Sequence, residues 1–207
     1  MSEENVEPVM EITFPVVSGS LISSLHGYSL YSAVKKILPW TGDCPLTSIS
    51  SISGIKQGKG LIETQEFSRL RIRTPLSQAS RFYSLAGQTL SVGQGRIFLK
   101  VPTIAPLSPK ATLQARIVII HLSKERELVP PDRFLVAATR QLAENGINGR
   151  ISLLLKKGAL KRQVLLVKNR KIPGYGLEVS GLSDDDSLKL QTLGLGGKKK
   201  MGAGYFR

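Results

Sequence analysis

Hydrophobic and polar residues in the first half of the chain predict the element order β-α-β-β-α-β. Residues 10–17, MEITFPVV, read as a strand, and residues 24–38 carry apolar side chains at helical spacing until Pro39 ends the pattern. The remaining elements of this predicted unit are strands over 46–53 and 67–74, which alternate at period two, a short helix over 75–85 and a strand over 96–101.

The alternation in residues 67–74 separates charged from hydrophobic side chains. Arg69, Arg71 and Arg73 share one face of the predicted strand, whereas Leu70 and Ile72 take the other. The arginine face predicts a track for phosphate groups, although an ordinary solvated strand face would produce the same pattern.

The second half of the chain repeats the element order of the first. Its predicted elements are strands over 113–122, 151–155, 163–169 and 175–182, a helix over 130–146, and a helix over 183–194 that begins at the N-cap Ser183. Two such units in tandem predict an α+β protein made of two ferredoxin-like domains. The stretch 101–110, VPTIAPLSPK, holds three prolines and predicts the linker. We therefore expect domains over residues 1–107 and 108–207.

Charge changes this picture by indicating a polyanionic partner. The 207 residues carry 29 Lys and Arg against 15 Asp and Glu, a net charge of +14. Residues 1–107 hold ten basic and seven acidic residues, so nineteen and eight remain for residues 108–207. A basic stretch over 150–171 has eight basic residues and no acidic one. Nucleic acid is the favoured partner, and a solubilising surface is the alternative.

Targeting and redox signals predict a cytoplasmic protein with no membrane partner. No apolar run approaches the ~20 residues of a membrane helix, and the acidic start MSEENVEPVM resembles neither a secretory signal nor a transit peptide. The single cysteine, Cys44, cannot form an internal disulfide, as expected in a reducing compartment.

A glycine-rich loop, GLGGKKKMGAG over residues 194–204, follows the last predicted helix. Such loops bring backbone N–H groups close to anions. The P-loop pattern fails because Lys199 follows Gly197-Lys198 where Ser or Thr is required, and Thr192 stands in place of the first glycine. A dinucleotide loop fails because no helix follows Gly204. The loop is expected to become ordered around RNA, and a flexible tail is the alternative.

The spacing Gly-Leu-Gly, five residues, then Gly-Ala-Gly before a final aromatic pair resembles the C-terminal loop of the repeat-associated RNA-binding superfamily of CRISPR proteins. Within it, the chain resembles the Cas6 family of CRISPR repeat endoribonucleases. The segments FPVVSGSL, HGYSLYSAV and VSGLSDDDSLKLQ add to the resemblance, which spans essentially the whole chain. It implies two ferredoxin-like domains and a role in processing CRISPR precursor RNA.

His26 is the candidate catalytic residue. It lies near the head of the first predicted helix, which Ser23 or Ser24 could cap, and Gly27 is expected to leave open space beside it. A half-buried structural histidine is the alternative, and the resemblance favours catalysis. His121 ends a hydrophobic run, where a structural role is expected. Tyr28 and Tyr31 point away from His26 on a helical wheel, so the helper residues stay open.

The residues offer a metal-free route to RNA cleavage. Carboxylates are dense only at Asp184–Asp186, which read as a helix cap, so no metal site or cofactor is expected. RNA supplies its own nucleophile in the 2′-hydroxyl, and histidine can transfer a proton near neutral pH. The expected products are a 2′,3′-cyclic phosphate or 3′-phosphate and a 5′-hydroxyl.

Candidate RNA-binding residues fall in two groups. The hairpin over 156–171 resembles the basic hairpin that family members lay into an RNA stem, and the glycine loop is expected to hold the RNA backbone. The expected contacts are Lys156, Lys157, Lys161, Arg162, Lys168, Arg170 and Lys171 in the hairpin, and Gly194, Gly196, Gly197, Lys198, Lys199, Lys200, Gly202 and Gly204 in the loop.

The expected partners are a CRISPR repeat stem-loop, the processed guide RNA and other CRISPR effector subunits. A non-cleaving RNA-binding subunit of an effector complex is the main alternative function. A ribosomal or other structural RNA-binding protein would account for the charge but not for the glycine spacing.

Overall fold

The computed structural model describes residues 7–121, 129–156 and 158–207. Its first half contains nine strands and two helices. They are β1 (Val9–Pro15), β2 (Leu21–Ser23), α1 (Gly27–Ile37), β3 (Ser48–Ile49), β4 (Ile55–Gly58), β5 (Leu61–Glu63), β6 (Arg69–Pro75), α2 (Leu76–Ala79), β7 (Thr89–Val92), β8 (Gly95–Phe98) and β9 (Thr103–Pro106), with 3-10 turns at Pro39–Gly42 and Ser80–Leu85.

The main sheet of this half has the strand order β3-β6-β1-β9, and all its neighbours are antiparallel. This is the strand order of a ferredoxin-like unit. Its core contains Ile12 and Phe14 of β1, Leu30 and Val34 of α1 and Leu70 of β6, all of them buried. The alternation seen in the sequence therefore holds for Leu70 and Ile72, which point into the core.

The fourth strand of this sheet was assigned wrongly from sequence. The predicted strand over 96–101 corresponds to β8, which forms a two-stranded hairpin with β7. Just beyond β8, only an isolated bridge from Leu99 to Val16 connects the described part of this segment to the end of β1. The sheet is completed by β9, which lies inside the predicted linker. Proline is tolerated there because β9 is an edge strand, where a missing N–H costs no ladder bond. The predicted domain boundary between Leu107 and Ser108 stays a prediction.

The second half contains strands β10 (Thr112–Val118), β11 (Arg150–Leu153), β12 (Leu155–Lys156), β13 (Ala159–Leu160), β14 (Arg162–Val167) and β15 (Arg170–Ser180), helices α3 (Pro131–Glu144) and α4 (Asp184–Leu193), and a 3-10 turn at Lys199–Met201. Its sheet has the strand order β10-β15-β11. On the other side of β10, an antiparallel bridge from Ala115 to Phe206 places the C-terminal residues in the position of a fourth strand. The strand order of the first half is thus repeated, and the chain is an α+β protein of two tandem ferredoxin-like units, as predicted.

Helix α4 begins as its sequence predicts. The Ser183 hydroxyl accepts a hydrogen bond from the Asp186 amide, and three aspartates occupy the first turn beside the positive end of the helix dipole. The Ser183 hydroxyl in turn donates to the Asp186 carboxylate at 2.8 Å, and the Asn148 amide donates to it as well. These bonds, that of Ser183 most of all, lower the pKa of this carboxyl below its usual range. These acids are a helix cap, in agreement with the sequence prediction.

Arg73 connects the two halves and does not face solvent. Its side chain is only 2% exposed, and its Nε lies 3.0 Å from Glu11 Oε2. The guanidinium donates to the carbonyls of Gln191 and Phe206 in the second half, and it stacks 4.2 Å from the Tyr205 ring centroid. The prediction that Arg73 contacts phosphate groups is therefore wrong, because its guanidinium is buried and bonded to groups of the protein itself.

The other two arginines of the predicted arginine face, Arg69 and Arg71, also contact protein groups. Arg71 pairs with Glu11 at 3.4 Å, and Arg69 donates to the Ser68 carbonyl at 2.9 Å. Both keep partial exposure, so a contact of either with RNA stays a prediction.

Candidate active site

A cleft of about 610 Å³ opens between the two halves of the protein. Its walls are formed by the head of α1, the loop after β3 with strands β4 and β5, strand β10, the root of the basic hairpin around Lys156 and Lys161, and the C-terminal residues from Gly202 onward. Its polar and charged lining includes Ser24, His26, Ser50, Ser51, Ser53, Lys56, Gln114, Arg116, Lys156, Lys161, Gln163, Tyr205 and Arg207. Five of these side chains are Lys or Arg, so the charge of the lining favours an anion.

His26 lies at the head of α1, directly before the first helical residue. It is the N-cap residue and makes no side-chain cap bond, so the expected cap at Ser23 or Ser24 is wrong. The next residue, Gly27, packs tightly: a Cβ atom there would lie 2.2 Å from the Met201 carbonyl oxygen. The expected open space beside His26 is thus filled by the backbone of the glycine-rich loop, which only glycine permits at this distance.

The imidazole of His26 is held by two backbone groups. The Ile52 amide donates to Nε2 at 2.9 Å, so Nε2 must be unprotonated. The proton of the neutral ring is therefore on Nδ1, which donates to the Ser23 carbonyl at 2.8 Å. Burial, as the main cause, and the nearby Arg116 charge lower the pKa of His26 to about 4, and the Ser23 bond only partly offsets them. The ring is neutral near pH 7.

This lowered pKa predicts acid-sensitive folding. The unfolded chain binds a proton at His26 near pH 6.5, whereas the folded protein does so only near pH 4. The stabilisation from neutral His26 is therefore complete above pH 6.5 and is lost as the pH falls toward 4. A shift of this size corresponds to about 3 kcal/mol. Urea unfolding of wild type and His26→Gln at several pH values tests this.

We expect the stability advantage of wild type over His26→Gln to shrink across that window. A pH-independent difference between the two proteins would contradict it. At each pH, the free energy of unfolding of the variant is subtracted from that of wild type. This difference cancels the contribution of the carboxylates, because they titrate in the same range in both proteins.

The basic hairpin is divided between the cleft and solvent. Lys156 and Lys161 line the cleft near His26. Burial, followed by the charges of Arg116, Lys156 and Arg207, lowers the pKa of Lys161. The other predicted contacts of the hairpin, Arg162, Lys168, Arg170 and Lys171, are exposed on β14, β15 and the turn that joins them. Lys157 lies outside the described residues.

Most glycines of the loop pack against protein backbone. A Cβ at Gly194 would lie 2.3 Å from the Gly204 carbonyl oxygen, and one at Gly204 would lie 2.1 Å from the Leu195 carbonyl oxygen. Gly196 closely approaches Ile119 in the same way. The glycine spacing therefore has an internal cause, the crossing of two backbone segments, which does not favour direct RNA contact by these three. Gly197 is exposed and Gly202 lines the cleft, and RNA contact by these two stays a prediction.

The three consecutive lysines have different surroundings. Lys199 Nζ donates to the Leu193 carbonyl at 2.7 Å, at the end of α4, where a cation also suits the helix dipole. Lys200 Nζ donates to the Gly42 carbonyl at 2.7 Å. Lys198 is exposed, in a left-handed backbone conformation with φ of 64°. Of the three, Lys198 is the one best placed to meet a phosphate.

This difference predicts unequal effects on stability when the neighbouring lysines are replaced. Lys199→Ala removes a charged donor from the end of α4, and we expect it to lower the free energy of unfolding by about 1–2 kcal/mol. The matched control Lys198→Ala should change it by less than about 0.5 kcal/mol, as is usual at exposed positions. Urea unfolding measures both, and equal losses would contradict the assignment.

Sequence reasoning missed Arg116 and the loop that follows β3. Arg116 interrupts the hydrophobic run of β10 and lines the cleft, and Ser51 and Ile52 present a hydroxyl and an amide to Arg116 and His26. A charged residue inside a run of β-branched residues was the available signal for Arg116. The Ile52 amide has no sequence signal, because every non-proline residue carries one.

Two further features bear on partners. Within residues 7–121, 129–156 and 158–207, no helix is both long and apolar enough to cross a membrane. Over the same ranges, no group of three or more His, Cys, Asp and Glu residues is arranged to hold a metal ion.

Comparison with known proteins gives a consistent family. A family model described as Cas6 Crispr matches residues 10–207. A curated relative from Myxococcus xanthus (strain DK1622), named CRISPR-associated endonuclease Cas6, is 28% identical over 202 residues, which cover 98% of this chain and 82% of the relative.

Solved structures share the fold at low identity. One, titled "CRISPR associated protein Cas6", has a TM-score of 0.65 and 16% identity, and covers 97% of this chain and 98% of its own. Another, titled "An RAMP protein binding different RNA substrates", has a TM-score of 0.65 and 18% identity, and covers 96% of this chain and 98% of its own. With the family match extending over nearly all of its length, the chain belongs to the Cas6 family of CRISPR proteins.

Proposed function

We propose that this protein is a metal-independent endoribonuclease that cuts CRISPR precursor RNA within its repeats and retains the processed guide RNA for an effector complex. The observation that carries the proposal is the position of His26 in a cleft whose charged lining residues are Lys and Arg. The name of the Myxococcus relative, an endonuclease of the same family, adds support for cutting.

His26 is in the correct form to act as a base. Its Nε2 is unprotonated and, among the residues that the structure describes, accepts a bond from the Ile52 amide alone, which an RNA 2′-hydroxyl would replace. The Ser23 carbonyl holds the Nδ1 proton and so fixes the ring orientation. The attacking 2′-oxygen forms a bond to phosphorus and gives its proton to Nε2, while the bond from phosphorus to the 5′-oxygen breaks and that oxygen takes a proton from solvent water. The resulting hydroxide accepts the proton from the imidazolium, which returns His26 to its neutral form. The products are a 2′,3′-cyclic phosphate and a 5′-hydroxyl.

RNA entry changes the electrostatics that hold His26 neutral. A phosphodiester in the cleft places negative charge near the imidazole, which favours the imidazolium and raises the pKa of His26 from about 4. The base thus becomes stronger when substrate is bound. The exposed hairpin cations Arg162, Lys168, Arg170 and Lys171 are placed to meet phosphates of the stem outside the cleft.

The test is cleavage of a repeat RNA by wild-type protein in excess EDTA, with product ends identified. A second RNA carries a 2′-deoxy group at the nucleotide before the cut. We expect the first to be cut and the second to be bound but left intact, because the nucleophile is missing. Cutting of the 2′-deoxy RNA, or a requirement for added metal, would contradict the proposed chemistry.

A second function has one specific observation in its favour. Both ring nitrogens of His26 are bonded to backbone groups, and the ring is buried, as expected of a structural histidine. On this reading the protein is a non-cleaving RNA-binding subunit of a CRISPR effector complex. Tight binding of the repeat RNA with no products in either EDTA or metal would establish this function instead.

A further inference from the structure

Arg116 is a charged residue embedded in the wall of the cleft. It lies in β10, between the buried neighbours Ala115 and Ile117, and its side chain lines the cleft. Its Nη2 donates to Ser51 Oγ at 3.1 Å, and its Nη1 lies 3.5 Å from Gln163 Oε1, at the limit of a hydrogen bond. Both partners are neutral, so these contacts orient the guanidinium without neutralising its charge.

The guanidinium keeps donors for a ligand. Within the described residues, Arg116 Nε is buried and has no hydrogen-bond partner, whereas Nη1 and Nη2 each make one hydrogen bond and so each keep an N–H group for a ligand. A guanidinium has five N–H donors in a planar fork that matches two oxygens of a phosphate. A partly buried cation without an acidic partner is costly unless an anion joins it. Burial lowers the pKa of Arg116, which reflects this cost.

Arg116 and His26 meet at the same two residues. Ser51 accepts from Arg116, and the adjacent Ile52 amide donates to His26 Nε2. The guanidinium and the unprotonated imidazole nitrogen are therefore attached to consecutive residues of one backbone segment. Lys161, at the root of the hairpin, lines the same cleft as Arg116 and adds a second cation there.

We propose that Arg116, assisted by Lys161, binds the RNA phosphodiester on which His26 acts. That this group is the one cut rests on the proposed function; that the pair binds a backbone phosphate does not. Arg116 stays protonated throughout and donates hydrogen bonds to the non-bridging oxygens, whose negative charge grows as the 2′-oxygen attacks phosphorus. No proton passes through it, which separates its role from that of His26.

The binding test does not depend on cleavage. Repeat RNAs truncated one nucleotide at a time from the 3′ end are prepared with a 3′-phosphate or a 3′-hydroxyl. Wild-type protein should bind one of them more tightly as the 3′-phosphate, by at least about tenfold, since a charge-assisted pair is worth more than a neutral bond. Arg116→Ala should lose this preference. Arg116→Lys should keep part of it, because lysine retains the charge but not the fork.

Arg96→Ala is the control, because Arg96 is an exposed arginine of β8 that does not line the cleft. It should leave the affinity for both RNAs, and therefore their ratio, unchanged. In single-turnover cleavage at saturating protein, Arg116→Ala should be slower by ~10²–10³-fold, as for the loss of one donor to a developing oxyanion. Arg96→Ala should cut at the wild-type rate.

The outcomes separate the two proposals. If wild type fails to cut but shows an Arg116-dependent preference for the 3′-phosphate, the phosphate site stands and the nuclease function fails. If wild type shows no such preference, or Arg116→Ala keeps it, the phosphate site is overturned. Thermal unfolding of each variant confirms folding, and if Arg116→Ala does not fold, Arg116→Gln gives the neutral comparison with Arg116→Lys.

Discussion

His26→Ala is expected to slow single-turnover cleavage of repeat RNA by ~10²–10⁴-fold, the usual contribution of one positioned acid or base. The affinity for a 2′-deoxy repeat RNA should stay close to that of wild type, because the imidazole is buried and the cations of the cleft remain. A large loss of rate with little loss of binding is the signature of an interaction made in the transition state.

His121→Ala is the control for this experiment. His121 is the other histidine of the chain and is exposed just beyond β10, outside the lining of the cleft. It should cleave at the wild-type rate. Undiminished cutting by His26→Ala, with the protein folded, would place the active centre elsewhere and leave His26 as a structural residue.

The second large effect concerns stability. Arg73→Ala should lower the free energy of unfolding by about 3–5 kcal/mol, as expected when one partner of a buried charge network is removed. The change leaves the carbonyls of Gln191 and Phe206 without their donor, leaves Glu11 without its closest cation, and removes the stacking on Tyr205. Guanidinium chloride unfolding measures the loss.

Arg71→Ala is the matched control. It lies on the same strand and pairs with the same Glu11, but its side chain is 30% exposed, so its loss should cost about 1 kcal/mol or less. Equal destabilisation by the two changes would contradict the prediction, because the buried contacts of Arg73 would then contribute no more to the free energy of unfolding than the exposed pair of Arg71. Because Tyr205 lines the cleft, Arg73→Ala is also expected to weaken repeat RNA binding.

The sequence predicted the fold well because its signals were local. Helical spacing ended by Pro39, the Ser183 cap and the period-two strands each determine an element from a few neighbouring residues. Strand β9 was missed because it lies in the proline-rich stretch 101–110, which resembles a linker, and its pairing with β1 is what makes it a strand. A strand that depends on pairing with residues distant in the sequence cannot be predicted from the residues next to it.

The candidate site was harder to predict for the same reason. His26 stands out by residue type, but its bonds to Ser23 and Ile52 depend on how distant loops fold. Lysine runs and glycine spacing look alike whether they serve a ligand or the protein itself. Here Lys199 and Lys200 bind backbone carbonyls, and Gly194 and Gly204 let two backbone segments cross.

The length of β15 has a mechanical consequence. This one strand of eleven residues forms the hairpin with β14 in its first half and joins β10 and β11 in its second. An extended strand of eleven residues spans about 35 Å. The second half of β15 is held in the central sheet, and its first half extends from that sheet as one strand of the hairpin. The hairpin tip near Lys168 and Arg170 is therefore kept at a set distance from Lys161 at its root. An RNA stem bound at the tip would therefore enter the cleft at a constant distance from that contact.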